Sequence, residues 1–244
     1  MTSFHSATFG LLQVTPQLSP AASAGVDEIE RELGFRLPSS VREWYCYQDA
    51  IDILSRYSNQ DRPIPVREFA VQEWNTHRLL PFKHENQGVC QWAMLVDGSA
   101  DPPVWVDVEL VEADWPHWVM QAPTFSTHIW ACVWDYSRVL DQAALVQAQN
   151  QPLSLGVLSE LRELFSEQPS TFGWPGSAQH RFVGDGVAIL IWAGGDQADW
   201  FVGASEARSF ETCVRQVWKL DSVGESLWAN SEIGESVLQR IRAN

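Results

Sequence analysis

The sequence lacks any apolar run of about 18 residues, the length a bilayer-spanning helix needs. Its most apolar stretch, Val187 to Ala193, suits a buried strand instead. No Lys or Arg precedes Arg31, so neither a secretory nor a transit signal is expected, and a soluble cytoplasmic protein is. Positive charge is scarce throughout: 16 Lys and Arg stand against 31 Asp and Glu, a formal net charge of −15. The bases are scattered and form no cluster, which argues against nucleic acid and against anionic membrane surfaces as partners. An acidic surface keeps a protein dispersed or draws in a basic partner, and both readings stay open at this point. Cysteine is sparse as well. Cys46, Cys90, Cys132 and Cys213 lie far apart with no Cys-x-x-Cys, against a zinc ribbon or a redox pair. Their apolar neighbours suit reduced, buried thiols in a reducing compartment.

Catalytic signatures are missing too. There is no nucleophile elbow, P-loop or dinucleotide-binding glycine fingerprint, and Gly194-Gly195-Asp196 reads as a turn. The six histidines are dispersed, and His84-Glu85 has no second His at ligand spacing, so neither a metal nor a cofactor is expected. Of Asp97, Asp101, Asp107, Glu109, Glu112 and Asp114, most fall in turns or on the outer face of an alternating strand. Acid-base catalysis needs a carboxyl held in an apolar pocket, so an enzyme is not expected.

What is plentiful is tryptophan, with 13 residues in a chain that is 45% hydrophobic, enough for an ordinary globular core. Residues 1–19 read as a lead-in. Pro20 opens a helix from about Ala21 to Leu33, with Val26, Ile29 and Leu33 on one face and Gly34 as its left-handed cap. After the turn Phe35-Arg36-Leu37-Pro38, a second helix is expected from Ser39 or Ser40 to about Tyr57. Val89 to Val96 reads as a strand, and Val104 to Leu110 as another whose alternation separates Val104, Val106, Val108 and Leu110 from Trp105, Asp107 and Glu109. A helix is expected from Thr124 or Ser126 toward Gln147, Pro152 marks a break, and 151–244 reads as a second region. It contains a helix from Ser154, a loop over Gln168 to Ser177, a hairpin around Gly184-Asp185-Gly186, a strand at Trp200-Phe201-Val202, and helices near Ser205–Leu220 and Ile233–Arg242. A strand–loop–strand–helix series around Trp92, Trp105 and Phe125 is echoed around Trp192, Trp200 and Phe210, through duplication or coincidence.

Charge is segregated. From His84 to Ser137 there is no Lys or Arg, while Glu85, Asp97, Asp101, Asp107, Glu109, Glu112, Asp114 and Asp135 share the span with Trp92, Trp105, Trp115, Trp118, Trp130 and Trp134. Such a composition suits a protein-binding surface, in which aromatics supply buried contact and carboxylates steer a basic partner. It equally suits core tryptophans beneath solubilising acids. The candidate partner-binding residues are Glu85, Asp97, Asp101, Trp105, Asp107, Glu109, Glu112, Asp114, Trp115 and Trp118.

The series Ile29-x-x-Glu32-Leu33-Gly34-Phe35-x-Leu37-Pro38-x-x-Val41-x-x-Trp44-Tyr45 resembles the opening signature of the SUKH superfamily, relatives of fungal cell-wall assembly regulators. Leu80-Pro81-Phe82, Glu85 to Val89, Pro102 to Trp105 and Phe125-Ser126 resemble its sheet region and late helix, so the likeness covers roughly residues 20–140. It implies an α+β fold, a mixed and largely antiparallel sheet covered by helices over 20–150, with 151–244 an α+β extension or degenerate second copy. Bacterial members are inferred to be immunity proteins that bind polymorphic or contact-dependent toxins, often basic nucleases, with no cofactor. The alternatives are a regulatory scaffold or adaptor for endogenous proteins, and a small-molecule-binding domain with a tryptophan-walled pocket.

Overall fold

The computed structural model describes residues 3–110, 117–220, 223–229 and 231–243. They form eight α-helices and eleven β-strands in an α+β arrangement. The chain divides into two compact units, Met1–Val133 and Trp134–Asn244. The division thus lies upstream of the boundary expected at 150, because Ala144–Asn150 is a strand of the second unit's sheet.

In the first unit the lead-in carries a short helix, α1 (Ser6–Leu12). Ser19 then fixes the start of α2 (Pro20–Leu33): its hydroxyl accepts the Ala22 amide at 3.2 Å, and Pro20 fills the first turn where no amide partner is needed. Gly34 closes the helix at φ 74°, a conformation that favours glycine. The following turn is held by Glu30, a buried carboxylate that accepts the Leu37 amide at 2.9 Å and ion-pairs with Arg42 at 2.8 Å. The single helix expected from residue 39 to 57 is instead two, α3 (Ser39–Tyr45) and α4 (Ala50–Arg56). The incoming segment explains the break. Ser19 donates to the Cys46 carbonyl, Gln48 donates to the Gln17 carbonyl, and Leu18 pairs with Tyr47, so these backbone groups leave the helical ladder.

The first sheet comprises β1 (Arg62–Pro63), β2 (Gln72–Trp74), β3 (His77–His84), β4 (Gln91–Leu95), β5 (Val104–Asp107) and β6 (Trp118–Ala122). Its order is β1-β3-β4-β5-β6, with β2 also on β3, and every pair is antiparallel. Helix α5 (Phe125–Asp135) follows. One sheet face buries Leu80, Phe82, Trp92, Met94, Val104 and Val106, and Phe82 meets Phe125 and His128 of α5 edge-on.

The second unit replaces the expected continuation toward Gln147 with a π-type turn, Tyr136–Leu140, and then β7 (Ala144–Asn150). After α6 (Leu155–Leu164) come β8 (Ser166–Phe172), β9 (Ala178–Gly184), β10 (Val187–Ala193) and β11 (Ala198–Ala204), then α7 (Ala207–Val217) and α8 (Glu232–Arg242). The sheet order is β7-β11-β10-β9-β8, antiparallel throughout. Val146, Phe182, Ile189, Ile191, Trp200 and Val202 pack with Leu158, Leu161, Phe210, Val214 and Leu238 of the helices in one core. Elsewhere in this unit Arg181 is 1% exposed and grips Asp135 through two bonds of 2.6 and 2.8 Å. Gly203 lies so near the π-type turn that a Cβ there would stand 2.7 Å from the Val139 backbone. Both sheet edges are modified: Pro169 sits within a bulge in β8, and Gln147 of β7 exchanges two 2.8 Å backbone bonds with Trp228.

Each unit therefore contains a four-stranded meander followed by a helix: β3 to β6 before α5, and β8 to β11 before α7. Strand β6 stands between Trp105 and Phe125, while Trp200 of β11 leads directly into α7, which accounts for the unequal spacings of the two series.

Candidate functional site

The alternation of β5 builds the site. Val104, Val106 and Val108 are buried, which turns Trp105 and Asp107 to the opposite, outer face of the first sheet. Cross-strand register adds neighbours there, Ala93 and Met120 opposite Trp105, and Gln91 and Trp118 opposite Asp107. Trp105 meets Trp74 at 5.8 Å and His77 at 5.7 Å, and Trp74 stacks on His77 at 5.9 Å. Leu79, Ala93 and Trp118 form a small buried apolar cluster with Trp74, Leu95 and Trp105 packed on it. Trp105 is half-buried, and its indole N–H has no hydrogen-bond partner. Met120 on the same face is 43% exposed.

Acids edge these rings. Asp107 accepts the Glu109 amide at 3.2 Å and lies 3.4 Å from the Gln91 amide nitrogen. His117 spans two carboxylates: Nδ1 is 3.1 Å from Asp107, off the hydrogen-bonding direction, and Nε2 contacts Glu109. These three residues offer ligand atoms all within 4.8 Å of one another, the grouping among the described residues able to hold a metal ion. Strands β4, β5 and β6 contain no Lys or Arg.

The ten candidate residues separate. Trp105, Asp107 and Glu109 come together as described. Asp97 is exposed in the β4–β5 turn and accepts the Ser99 amide. Glu85 is buried and accepts the amides of Gln87 and Val89, so its carboxylate shapes the β3–β4 turn rather than a surface. Asp101 bonds the Ser126 amide and hydroxyl at the start of α5, where an acid complements the exposed helix amides. Trp118, 4% exposed, belongs to the apolar cluster. Glu112, Asp114 and Trp115 lie outside the described residues.

Sequence reasoning missed Trp74 and His77, which are distant in sequence but brought beside Trp105. It also missed a polar cluster in the first unit. Lys83, 3% exposed, pairs with Asp61 at 3.1 Å and lies 3.8 Å over the Trp92 ring. Burial opposes its charge, but the Cys132 sulfur and Asp61 outweigh that penalty and raise its pKa above the ordinary lysine value. Burial pushes the nearby Cys90 thiol up to about 12. The only sequence signal was a Lys flanked by buried strand residues in Leu80-Pro81-Phe82-Lys83.

A cleft of about 550 Å³ lies elsewhere in this unit, lined by residues that include Phe9, Leu12, Tyr47, Ile53 and Tyr57, and its described lining contains no tryptophan. No described helix is long and apolar enough to cross a membrane. Compared with protein-family models, with curated proteins and with solved structures, the chain matches none of them.

Proposed function

We propose that this is a bacterial immunity protein that binds and neutralises a cognate polymorphic or contact-dependent toxin in the cytoplasm. The observation that carries the proposal is the outer face of the first sheet. Trp74, His77, Trp105 and Met120 supply half-buried or exposed contact area, Asp107 and Glu109 edge it, and β4 to β6 bring no base. Interface hot spots favour such aromatics, and carboxylates at a rim raise the encounter rate with a positive partner. A nuclease that grips phosphate presents such a positive surface. The net charge of −15 acts in the same direction at longer range. The resemblance of Ile29 to Tyr45 to the SUKH opening signature supports the same reading. Neutralisation is by occupancy: binding the toxin needs no cofactor and makes or breaks no covalent bond. Nucleic acid and membranes are not its partners.

The test is co-expression with the product of the adjacent gene. A complex that weakens as salt rises, together with rescue of growth, is the expected result. Binding without rescue identifies a scaffold or adaptor instead, and the absence of both complex and rescue removes the proposal.

A further inference from the structure

Away from the outer face, one side-chain cluster of the first unit has the chemistry of an activated nucleophile. His128 and Cys132 are one turn apart on α5, so they project from the same side of the helix. His128 is 1% exposed; its Nδ1 lies 2.7 Å from Gln121 Oε1 of β6, and its Nε2 lies 3.5 Å from Cys132 Sγ. With Nδ1–H donating to the Gln121 carbonyl oxygen, a neutral imidazole presents its Nε2 lone pair to the thiol. A thiol, a base in reach and a third group orienting that base make up the arrangement that activates cysteine nucleophiles. Lys83 Nζ lies 3.9 Å from the same sulfur, and Asp61 and the Trp92 ring hold it there. A fixed cation beside a thiol favours the thiolate. The other cysteines differ: Cys46, Cys90 and Cys213 are buried, and burial pushes both Cys90 and Cys213 up to about 12. Cys132 is half-buried, which leaves part of the residue open to small reagents.

We propose that Cys132 is a modification site, a thiolate that reacts with small hydroperoxides to form a sulfenic acid. The thiol proton passes to His128 Nε2, and the sulfur attacks the terminal oxygen of the peroxide. An S–O bond forms as the O–O bond breaks. Sulfur is oxidised by two electrons, and the peroxide is reduced to an alcohol, or to water when it is hydrogen peroxide. The leaving oxygen takes up the proton from His128. Lys83 stays protonated and stabilises the sulfur's charge before attack. Gln121 acts as a positioning residue through His128. None of this depends on the toxin-binding proposal.

The experiment compares the four thiols of the intact protein. Iodoacetamide labelling rates are read at each cysteine by peptide mass spectrometry, and hydrogen peroxide treatment is followed by dimedone capture. Cys132 is expected to label at least about tenfold faster than the others. The dimedone adduct is expected on its peptide, and Cys132→Ser removes both signals. His128→Gln, with an unchanged circular dichroism spectrum, is expected to slow labelling by about tenfold or more. Three results overturn the proposal: Cys132 labelling no faster than Cys46, fast labelling without dimedone capture, or a folded His128→Gln that labels at the wild-type rate. The wild-type comparison decides the matter if that variant does not fold.

Discussion

Replacing Asp61 with asparagine strips Lys83 of its carboxylate partner while leaving the ammonium in place. The pair is 3.1 Å apart with side chains 4% and 9% exposed, so water cannot compensate for the lost carboxylate. Removing one partner of such a pair costs about 3–5 kcal/mol, because an uncompensated charge stays buried. The ammonium keeps its place 3.8 Å over Trp92, a desolvated attraction of about 2 kcal/mol, and 3.9 Å from the Cys132 sulfur, which together set the expected loss near the lower end, about 3 kcal/mol. In urea, with a slope of about 2 kcal/mol per molar, the unfolding midpoint falls by about 1.5 M. Circular dichroism follows the transition, and hydrogen exchange in β3 and β4 assigns it to the first unit. Asp61→Leu combined with Lys83→Met removes both charges, and is expected to recover to within about 1 kcal/mol of the parent. A single-variant loss below about 1 kcal/mol, the scale of a solvated surface pair, would refute the reasoning. So would a double variant no more stable than the single one.

Lys83 also gives an alkaline signature. Its folded-state pKa is raised, so its contribution is fully present below the ordinary value of 10.5 and is lost as pH rises through the higher folded value. Thermal melts from about pH 9 to 12 should show falling stability, with a shallower fall in Lys83→Met. In the second unit, Gly203→Ala should cost about 1–3 kcal/mol by thermal melting, since the new methyl meets Val139 backbone that a rotamer change cannot clear. Charge reversal at Asp107 and Glu109 together should slow toxin association about tenfold at low salt and flatten its salt dependence, as measured by stopped flow. The stability change should stay within about 1 kcal/mol, because Glu109 is exposed and Asp107 keeps no buried cation company.

Local chemistry made part of the fold legible. Ser19, Pro20 and Gly34 mark the ends of α2 because capping is decided by adjacent residues, and the β9–β10 hairpin was visible in Gly184-Asp185-Gly186 for the same reason. The alternation of Val104 to Val108 likewise placed Trp105 and Asp107 on a common face. Errors arose where distant segments intervened. The break between α3 and α4 depends on residues 17–19, which a local reading of Ser39 to Tyr57 does not include. Ala, Leu and Gln in β7 are helix formers pulled into a strand by pairing with β11. Gln168 to Ser177 read as a loop, but β8 runs to Phe172 because an edge bulge tolerates Pro169. At the candidate site, composition located the acids without revealing their duties. Glu85 and Asp101 bind backbone amides, and that distinction depends on where the chain turns back. Trp74 and His77 became neighbours of Trp105 only through sheet order.

The edges of the second sheet restrict how this half of the protein can meet other chains. An unpaired strand margin is a template on which a foreign segment can lay itself down, the route of strand addition and of ordered aggregation. On β8 the proline ring has no amide to offer and the extra residues bend the line of donors. On β7 the Trp228 backbone already occupies both bonding positions of Gln147. Strand addition to this sheet is therefore hindered at Pro169 and at Gln147, and molecules of the protein are discouraged from joining edge to edge there at high concentration.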